Sequence, residues 1–237
     1  MKIVWLGQAG LWFENKKLKI MIDPYLSDSV KEINPNNYRR VPVKNELFEL
    51  KPDVVIFTHN HLDHFGEAKV ILNKINVNKI IVSAYNNSEF SRYTNSLIVN
   101  CNDEIIKKDL KLSFLGPTKK SENENDNSLI IKTKLGNYEY LFLADASNKV
   151  LDELDEKADI IKAGHHGSKT SASITFYSKA NPKYVIITTG RVKKYNFPDE
   201  ETISLLNSLN ISYYQTNINS TIKIYYFKNK SIITTHW

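Results

Sequence analysis

The sequence has a single cysteine, Cys101, in 237 residues. One thiol excludes an intrachain disulfide and a thiolate metal cluster, so we expect Cys101 to be a small apolar side chain of the core. The sequence also lacks an apolar run near the roughly 20 residues that span a bilayer, and Met1–Trp5 already follows a strand-like pattern. We therefore expect a cytoplasmic protein without a membrane segment.

A stretch of biased composition that would mark a linker is missing as well, so we expect one domain over residues 1–237. Apolar residues make up 41% and charged residues 24% of the chain, which excludes the disordered, collagen-like and coiled-coil classes. The formal net charge of +6 permits contact with nucleic acid, because Lys and Arg neutralise phosphates, although the same charge also favours solubility. Composition leaves the oligomeric state open.

Apolar periodicity predicts strands and helices along the whole chain. Three short β-rich runs, Lys2–Leu6, Gly10–Glu14 and Leu18–Asp23, predict an antiparallel meander. Further strands are predicted at Val54–Thr58, Lys79–Ser83, Leu110–Leu115, Ser128–Leu135, Tyr138–Ala144, Asp159–Ala163 and Tyr184–Thr189, with three more after residue 210. Helices are predicted at Glu67–Ile75, Ser88–Ser96, Val150–Glu156, Ile174–Ala180 and Glu200–Asn210. Two sheets with helices outside both would bury these apolar faces, which gives an α/β fold with a four-layer αββα sandwich.

Five of the six histidines form two tight groups, which are His59, His61 and His64, and then His165 and His166. The first group follows a predicted buried strand, and open α/β sheets place their sites at the carboxyl ends of such strands. His59 and His61 alternate on extended backbone, so both rings point the same way and offer two imidazoles to one metal ion. His236 stands apart, and we expect it at the surface.

Carboxylates accompany both histidine groups. Asp63 and His64 lie just beyond the first pair and can reach a second ion, and a carboxylate beside an imidazole suits Zn, Mn or Fe. Asp145 ends another apolar strand, where its carboxylate can bridge two cations, and His166 completes the set. An isolated Asp at a strand end is more often a hydrogen-bonded loop residue. We expect two divalent ions, with zinc as the first choice and manganese or iron as alternatives.

The run His59-Asn60-His61-Leu62-Asp63-His64 matches the HxHxDH motif, and the chain resembles the metallo-β-lactamase superfamily over nearly its whole length. The resemblance implies a first ion on His59 and His61, a second ion on Asp63 and His64, Asp145 between them, His166 as the later histidine ligand, and His165 facing the substrate. Many members of the superfamily have another histidine ligand before the bridging aspartate. None lies between His64 and His165, so we expect the first ion to be held less tightly.

Two parts of the chain resemble different branches of the superfamily. The segments Asn125–Leu129, Ala144–Ala146 and Gly164–Ser171 resemble the metallo-hydrolase domain of ComEC-type competence proteins and, more distantly, bacterial phosphorylcholine esterases; both act on phosphodiesters. The segments Trp5–Gly10 and Ile22–Leu26 resemble lactonase-type members related to ascorbate-phosphate lactonase. The two resemblances therefore imply different substrates.

The ComEC-type resemblance has two departures. Tyr195-Asn196-Phe197-Pro198 stands where those proteins have Tyr-Gly-His-Pro, and the transmembrane channel of the competence proteins is missing from this sequence. Both departures weaken the transfer of a role in DNA uptake.

Two adjacent cations lower the pKa of a shared water toward neutrality and so supply a hydroxide nucleophile. Asp63 would orient this hydroxide, and His165 would stabilise the oxyanion or protonate the leaving group. Ser168 and Lys169 are candidates for binding a substrate phosphate, with a polar turn before the next helix as the alternative.

The leading hypothesis is a metal-dependent hydrolase of phosphodiesters, with nuclease activity as one form of it. The basic segment Arg191–Tyr195 would line the cleft, or else form a solvated loop. The alternative is a lactonase or another small-molecule ester hydrolase, which needs no basic groove. A metal-stabilised binding module is disfavoured by the intact ligand set, and a di-iron oxygen-reducing role by His61, because that branch has HxExDH.

Overall fold

The computed structural model of the protein describes residues 2–7, 9–15, 18–37, 49–86, 88–107, 110–135, 137–190, 196–219, 221–227 and 230–236. The basic segment Arg191–Tyr195, which was expected to line a cleft, lies outside the described residues. The same holds for the side chain of His236.

The first sheet combines an antiparallel half with a parallel half. Its strands in chain order are β1 (Lys2–Gly7), β2 (Gly10–Glu14), β3 (Lys19–Ile22), β4 (Val54–Phe57), β5 (Lys79–Ser83), β6 (Ser96–Val99), β14 (Thr221–Phe227) and β15 (Lys230–His236). Their order across the sheet is β15-β14-β1-β2-β3-β4-β5-β6. The pairs β1–β2 and β2–β3 are antiparallel, which confirms the predicted meander, and β3 to β6 run parallel.

The second sheet is built in the same way. Its strands are β7 (Glu104–Lys107), β8 (Leu110–Gly116), β9 (Ile130–Leu135), β10 (Tyr138–Phe142), β11 (Ile160–Lys162), β12 (Tyr184–Ile187) and β13 (Ser212–Gln215). They lie in the order β13-β12-β11-β10-β9-β8-β7, with β10 to β13 parallel. The parallel halves of both sheets therefore end in loops that can carry functional side chains.

The helices are α1 (Val30–Ile33), α2 (Leu62–Phe65), α3 (Ala68–Lys74), α4 (Asn148–Glu153), α5 (Ile174–Ala180), α6 (Glu200–Ser208) and α7 (Thr216–Asn219). No helix in the part of the chain that the structure describes is long and apolar enough to cross a membrane. These short helices take their stability from packing on the sheets, because isolated helices of this length are marginal in water.

Side-chain alternation on the buried strands divides the core into three layers. On β4, Ile56 packs between the two sheets, whereas Val55 and Phe57 pack outward with Ile71 of α3. On the outer face of the second sheet, a third cluster joins strand residues to α4, α5 and α6 through Leu151, Phe176 and Leu206. The structure thus has helix, sheet, sheet and helix layers, which confirms the predicted four-layer α/β sandwich.

Two expectations from the sequence are wrong, and one strand was not predicted. Ser88–Ser96 is not a helix, because only Glu89–Arg92 forms a 3-10 turn and Ser96 already begins β6, paired with Ile80 of β5. Strand β7 was not predicted, because its side chains show no burial alternation and Ile106 is 69% exposed. Cys101 lies in a turn, only partly buried, and its thiol donates to the Leu115 carbonyl at 3.2 Å, so it is not a core residue.

We predict that Phe114→Ala lowers the free energy of unfolding by about 3–5 kcal/mol, the usual range for deleting a buried aromatic ring. Phe114 is fully buried on β8 between the two sheets. Chemical unfolding measures the change, and Ile106→Ala on the exposed edge strand β7 is the control, with an expected change within about 0.5 kcal/mol. A small effect at Phe114 would contradict the packing of the two sheets against each other.

Candidate metal centre

The HxHxDH run changes its backbone conformation half-way through. His59 follows the end of β4, and His61 is still extended, with φ −68° and ψ 149°, as the residue before α2. Asp63 and His64 then lie on the single turn of α2. The change folds the run back on itself, so that the rings of His59 and His64 have centroids 4.2 Å apart. This local fold brings the rings of His59 and His64 close together.

The residues that the second sheet contributes to the centre lie in strained loops. Asp145 follows Ala144, which has φ 46°, while His165 and His166 have φ 44° and 55°. Left-handed backbone is unfavourable for residues with a Cβ, and such strain persists only where the surroundings hold it. Gly167, at φ 83°, closes the loop against Pro198, whose Cβ lies 2.7 Å from where a Gly167 Cβ would stand. The loop therefore has little freedom to move its two histidines.

The side chains form two groups that share one carboxylate. In the first group are His59, His61 and Asp145, and in the second are Asp63, His64, Asp145 and His166. The Oδ2 atom of Asp145 lies 3.8 Å from His59 Nε2, and its Oδ1 atom lies 3.2 Å from His64 Nε2. His166 Nε2 is 3.2 Å from Asp63 Oδ2. Each oxygen of Asp145 thus faces one of the two groups.

The chemistry of these atoms fits divalent cations. Among the buried polar atoms without a hydrogen-bond partner are Nε2 of His59, His64 and His166 and Oδ1 of Asp145. Buried polar atoms are almost always satisfied, so four such atoms that converge on one place need a common partner. Imidazole nitrogens with carboxylate oxygens are a ligand set for zinc, manganese or iron.

Hydrogen bonds at the far side of each ring fix its orientation. His64 Nδ1 donates to Asp23 Oδ2 at 2.7 Å, and His166 Nδ1 donates to the Thr188 carbonyl at 2.7 Å. Thr58 Oγ1 donates to the same Asp23 oxygen at 2.6 Å, which leaves it to accept from His59 Nδ1 at 3.1 Å. In all three rings Nδ1 carries the proton, and Nε2 is directed toward the cluster. Such outer partners orient metal-binding histidines in many proteins.

The sequence analysis missed Asp23, Thr58 and Thr188 as parts of this centre. Asp23 is buried at the end of β3 and has φ 44°. Its place at the carboxyl end of a strand next to β4 was the signal that could have identified it.

Burial and neighbouring charges together set the pKa values of the cluster, and burial lowers the pKa of His59. Burial alone would lower the pKa of His64, but the carboxylates of Asp145, Asp23 and Asp63 outweigh it and raise that pKa well above its ordinary value. Burial likewise favours the neutral form of Asp145, but the histidines around it hold its pKa well below the usual range. The buried carboxylates of Asp23, Asp63 and Asp145 therefore give the cluster a negative charge that a cation can balance.

His165 occupies a different position from His166. Its Nε2 lies 3.7 Å from Asp145 Oδ2, but it belongs to neither ligand group, and its side chain is 23% exposed. Its Nδ1 lies 3.1 Å from Thr170 Oγ1, and the ring packs at 5.5 Å on Phe197. Burial lowers the pKa of His165.

The two residues expected to bind phosphate lie at the edge of the centre. Ser168 is buried, and its Oγ accepts from the backbone of Thr170 and donates to Asp199 at 3.4 Å. Lys169 is exposed, with Nζ 3.9 Å from Glu201. Ser168 thus caps a turn in this structure, and the contact of both residues with a substrate stays a prediction.

A sequence profile of the metallo-beta-lactamase superfamily matches residues 8–190. The chain belongs to the metallo-β-lactamase superfamily. The superfamily resemblance predicted from the HxHxDH motif is confirmed.

The relatives of this chain include a ComE operon protein and metal-dependent hydrolases. ComE operon protein 3 of Bacillus subtilis (strain 168) is 29% identical over 194 residues, which are 75% of this chain and 25% of that protein. A UPF0173 metal-dependent hydrolase of Archaeoglobus fulgidus is 42% identical over 76 residues, 32% of this chain and 28% of that protein. The chain spans about a quarter of the length of these two relatives. Together with the superfamily assignment and the ligand groups, the relatives support a metal-dependent hydrolase.

A solved structure of the superfamily shows the same fold. YhfI of Bacillus subtilis, a metallo-beta-lactamase fold protein, superposes with a TM-score of 0.64 over 94% of this chain and 98% of that chain. The two sequences are 13% identical, so the likeness concerns the fold.

We predict that Asp23→Asn weakens metal affinity about 10- to 100-fold, the usual loss when an outer partner of a ligand is removed. The amide no longer provides the charged acceptor that holds His64 Nδ1 at 2.7 Å. Competition with a chromophoric chelator measures the affinity. Asp53→Asn is the matched control, because Asp53 accepts from the Lys19 amide at the opposite end of the same strands and should leave affinity unchanged.

Proposed function

We propose that this protein is a metal-dependent phosphodiesterase with two divalent ions. The observation that carries the proposal is the placement of the two oxygens of Asp145, one toward each ligand group. Two neighbouring cations suit in-line displacement at phosphorus. The net charge of +6 and the match to ComE operon protein 3 over 75% of the chain support an anionic substrate of this class. Zinc, the single domain over residues 1–237 and a cytoplasmic location stay predictions.

In this proposal His59, His61 and Asp145 hold one ion, and Asp63, His64, His166 and Asp145 hold the other. The bound ions supply Lewis acidity and lower the pKa of the attacking water. Asp63 is well placed to orient that water, because its side chain is 46% exposed while one of its oxygens faces His166. Both neighbouring histidines also keep the pKa of Asp63 low against the effect of burial, so it accepts hydrogen bonds as a carboxylate.

His165 is the proposed proton-transfer group. Thr170 Oγ1 donates to Ser168 Oγ at 3.1 Å, and Ser168 Oγ donates to Asp199 Oδ2, so Thr170 Oγ1 accepts from His165 Nδ1. This series of hydroxyls keeps the proton of neutral His165 on Nδ1. Nε2, which faces Asp145, is then the atom that takes a proton and gives it to the leaving oxygen.

The proposed substrate class is tested with the purified chain, assayed for bound metal and then for hydrolysis of bis-p-nitrophenyl phosphate, single- and double-stranded DNA and a lactone panel. We expect turnover of the phosphodiesters, and loss of that turnover together with bound metal in His59→Ala and His61→Ala. Efficient lactone hydrolysis without phosphodiester hydrolysis would replace the proposal by the second candidate.

A small-molecule lactonase is that second candidate, and the N-terminal segment favours it. The Trp5–Gly10 and Ile22–Leu26 motifs resemble lactonase-type members, and Asp23 within them orients His64. Both candidate reactions use the same ligand groups, so only the substrate panel separates them.

The adjacent histidines should give opposite results in a metal assay. His166→Ala should lose metal and activity together, because Nε2 of His166 points into the second ligand group. His165→Ala should keep nearly normal metal content and lose turnover by about 10²- to 10⁴-fold, the usual contribution of a positioned acid or base. Elemental analysis beside the rate for both variants measures this. The reverse pattern would exchange the two roles.

If the protein binds nucleic acid, we predict binding through phosphates, with a steep decrease in affinity as salt rises and little sequence preference. Fluorescence anisotropy with two oligonucleotides of unrelated sequence, at about 50 and 200 mM salt, measures both properties. An affinity that does not change between these salt concentrations would remove the nuclease form of the proposal.

A further inference from the structure

Lys162 is a buried lysine at the end of the strand that leads into the His165–His166 turn. It ends β11, pairs in register with Phe142 of β10 and Ile186 of β12, and is only 5% exposed. Phe142 and Ile186 both belong to the core between the two sheets. Neighbours in register on parallel strands point to the same face, so the Lys162 side chain also lies between the sheets.

The ammonium of Lys162 forms a hydrogen bond with the main chain. Nζ donates to the Ala163 carbonyl at 3.2 Å, in the residue that leads into the Gly164–Gly167 turn. Lys is almost never buried without an opposite charge nearby, because an uncompensated ammonium is expensive to desolvate. Burial lowers the pKa of Lys162, and the carboxylates of Asp145, Asp23 and Asp63 oppose this shift. These carboxylates come from both sheets and from α2. Phe142, the partner of Lys162 in register, lies three residues before Asp145.

We propose that Lys162 is a fixed counter-charge for the carboxylates of the metal centre, one that holds the centre together when ions are absent and weakens its affinity for divalent cations. The inference rests on the proposed metal-binding function. A cation enters a cluster whose carboxylates already interact with a buried ammonium, and the two positive charges repel each other in a medium of low dielectric. Lys162 therefore acts through Asp145 and Asp23 as a positioning residue and has no contact with substrate.

A purely structural role of Lys162 predicts a different effect of its substitution on metal affinity. If Lys162 merely filled space between the sheets, replacing it with an apolar side chain of similar length would change stability but leave metal affinity unchanged. The isosteric variant Lys162→Met separates the two roles, and Lys162→Gln serves if the first variant does not fold.

The test uses the full chain and zinc or manganese ions in competition with a chromophoric chelator. We expect Lys162→Met to bind the ions at least about tenfold more tightly, because a repulsive charge has been removed. Lys134→Met on the exposed face of β9 removes the same charge at the surface and should leave affinity unchanged. Unchanged or weaker binding in Lys162→Met and Lys162→Gln would overturn the proposal.

A double-mutant cycle with the ions chelated tests the counter-charge independently of metal binding. In thermal unfolding, the decrease in Tm of Lys162→Met with Asp145→Asn should be smaller than the sum of the two single decreases, because both single changes remove the same attraction. The pair Lys134→Met with Asp145→Asn should be additive. Additive behaviour of the Lys162 pair would refute the counter-charge.

A wild-type chain that binds no divalent ion would instead refute the proposed function, and the cycle would still decide the role of Lys162.

Discussion

Asp145 connects the two sheets of this protein, because its carboxylate faces histidines from β4 and α2 while its own backbone follows β10. The carboxylate is buried, and the surrounding imidazoles keep its pKa well below the usual range. A buried charge of this kind must be matched by positive charge from its neighbours or from an ion. His59, His64 and His166 bring Nε2 close to this carboxylate, where an ion can supply the positive charge.

The fold meets this requirement by aligning the carboxyl ends of two parallel half-sheets. Strands β3 and β4 deliver Asp23 and His59 from one side, and β10, β11 and β12 deliver Asp145, the His165–His166 turn and the Thr188 carbonyl from the other. The left-handed residues at these loops are unfavourable in isolation, so the tightly packed loops and their hydrogen bonds must maintain them. The geometry of the ligand groups at the strand ends therefore depends on how the two sheets pack against each other.

The parts of this arrangement that are contiguous in sequence were the most predictable. His59, His61, Asp63 and His64 lie within six residues, and the helix-and-strand alternation predicted both sheets. Asp23 was harder to recognise as an outer partner of His64, because an aspartate at a strand end usually caps a loop and the contact spans 41 positions. The edge strands β6 and β7 were missed for another reason: their exposed apolar side chains give no alternation, and pairing with neighbours decides their conformation.

Lys162 shows why charge balance must be considered together with the ligand set. Lys162 lies within a correctly predicted strand and is buried. In the sequence, however, a lysine at a core position only interrupts the apolar pattern and does not indicate a role for its charge. As a counter-charge to Asp23, Asp63 and Asp145, the same lysine would reduce the excess negative charge of the cluster. Divalent ions would bring positive charge into the same buried space, so an ammonium fixed nearby would oppose their binding. Affinity for metal is thus set by the whole group of buried charges, of which the ligands are one part.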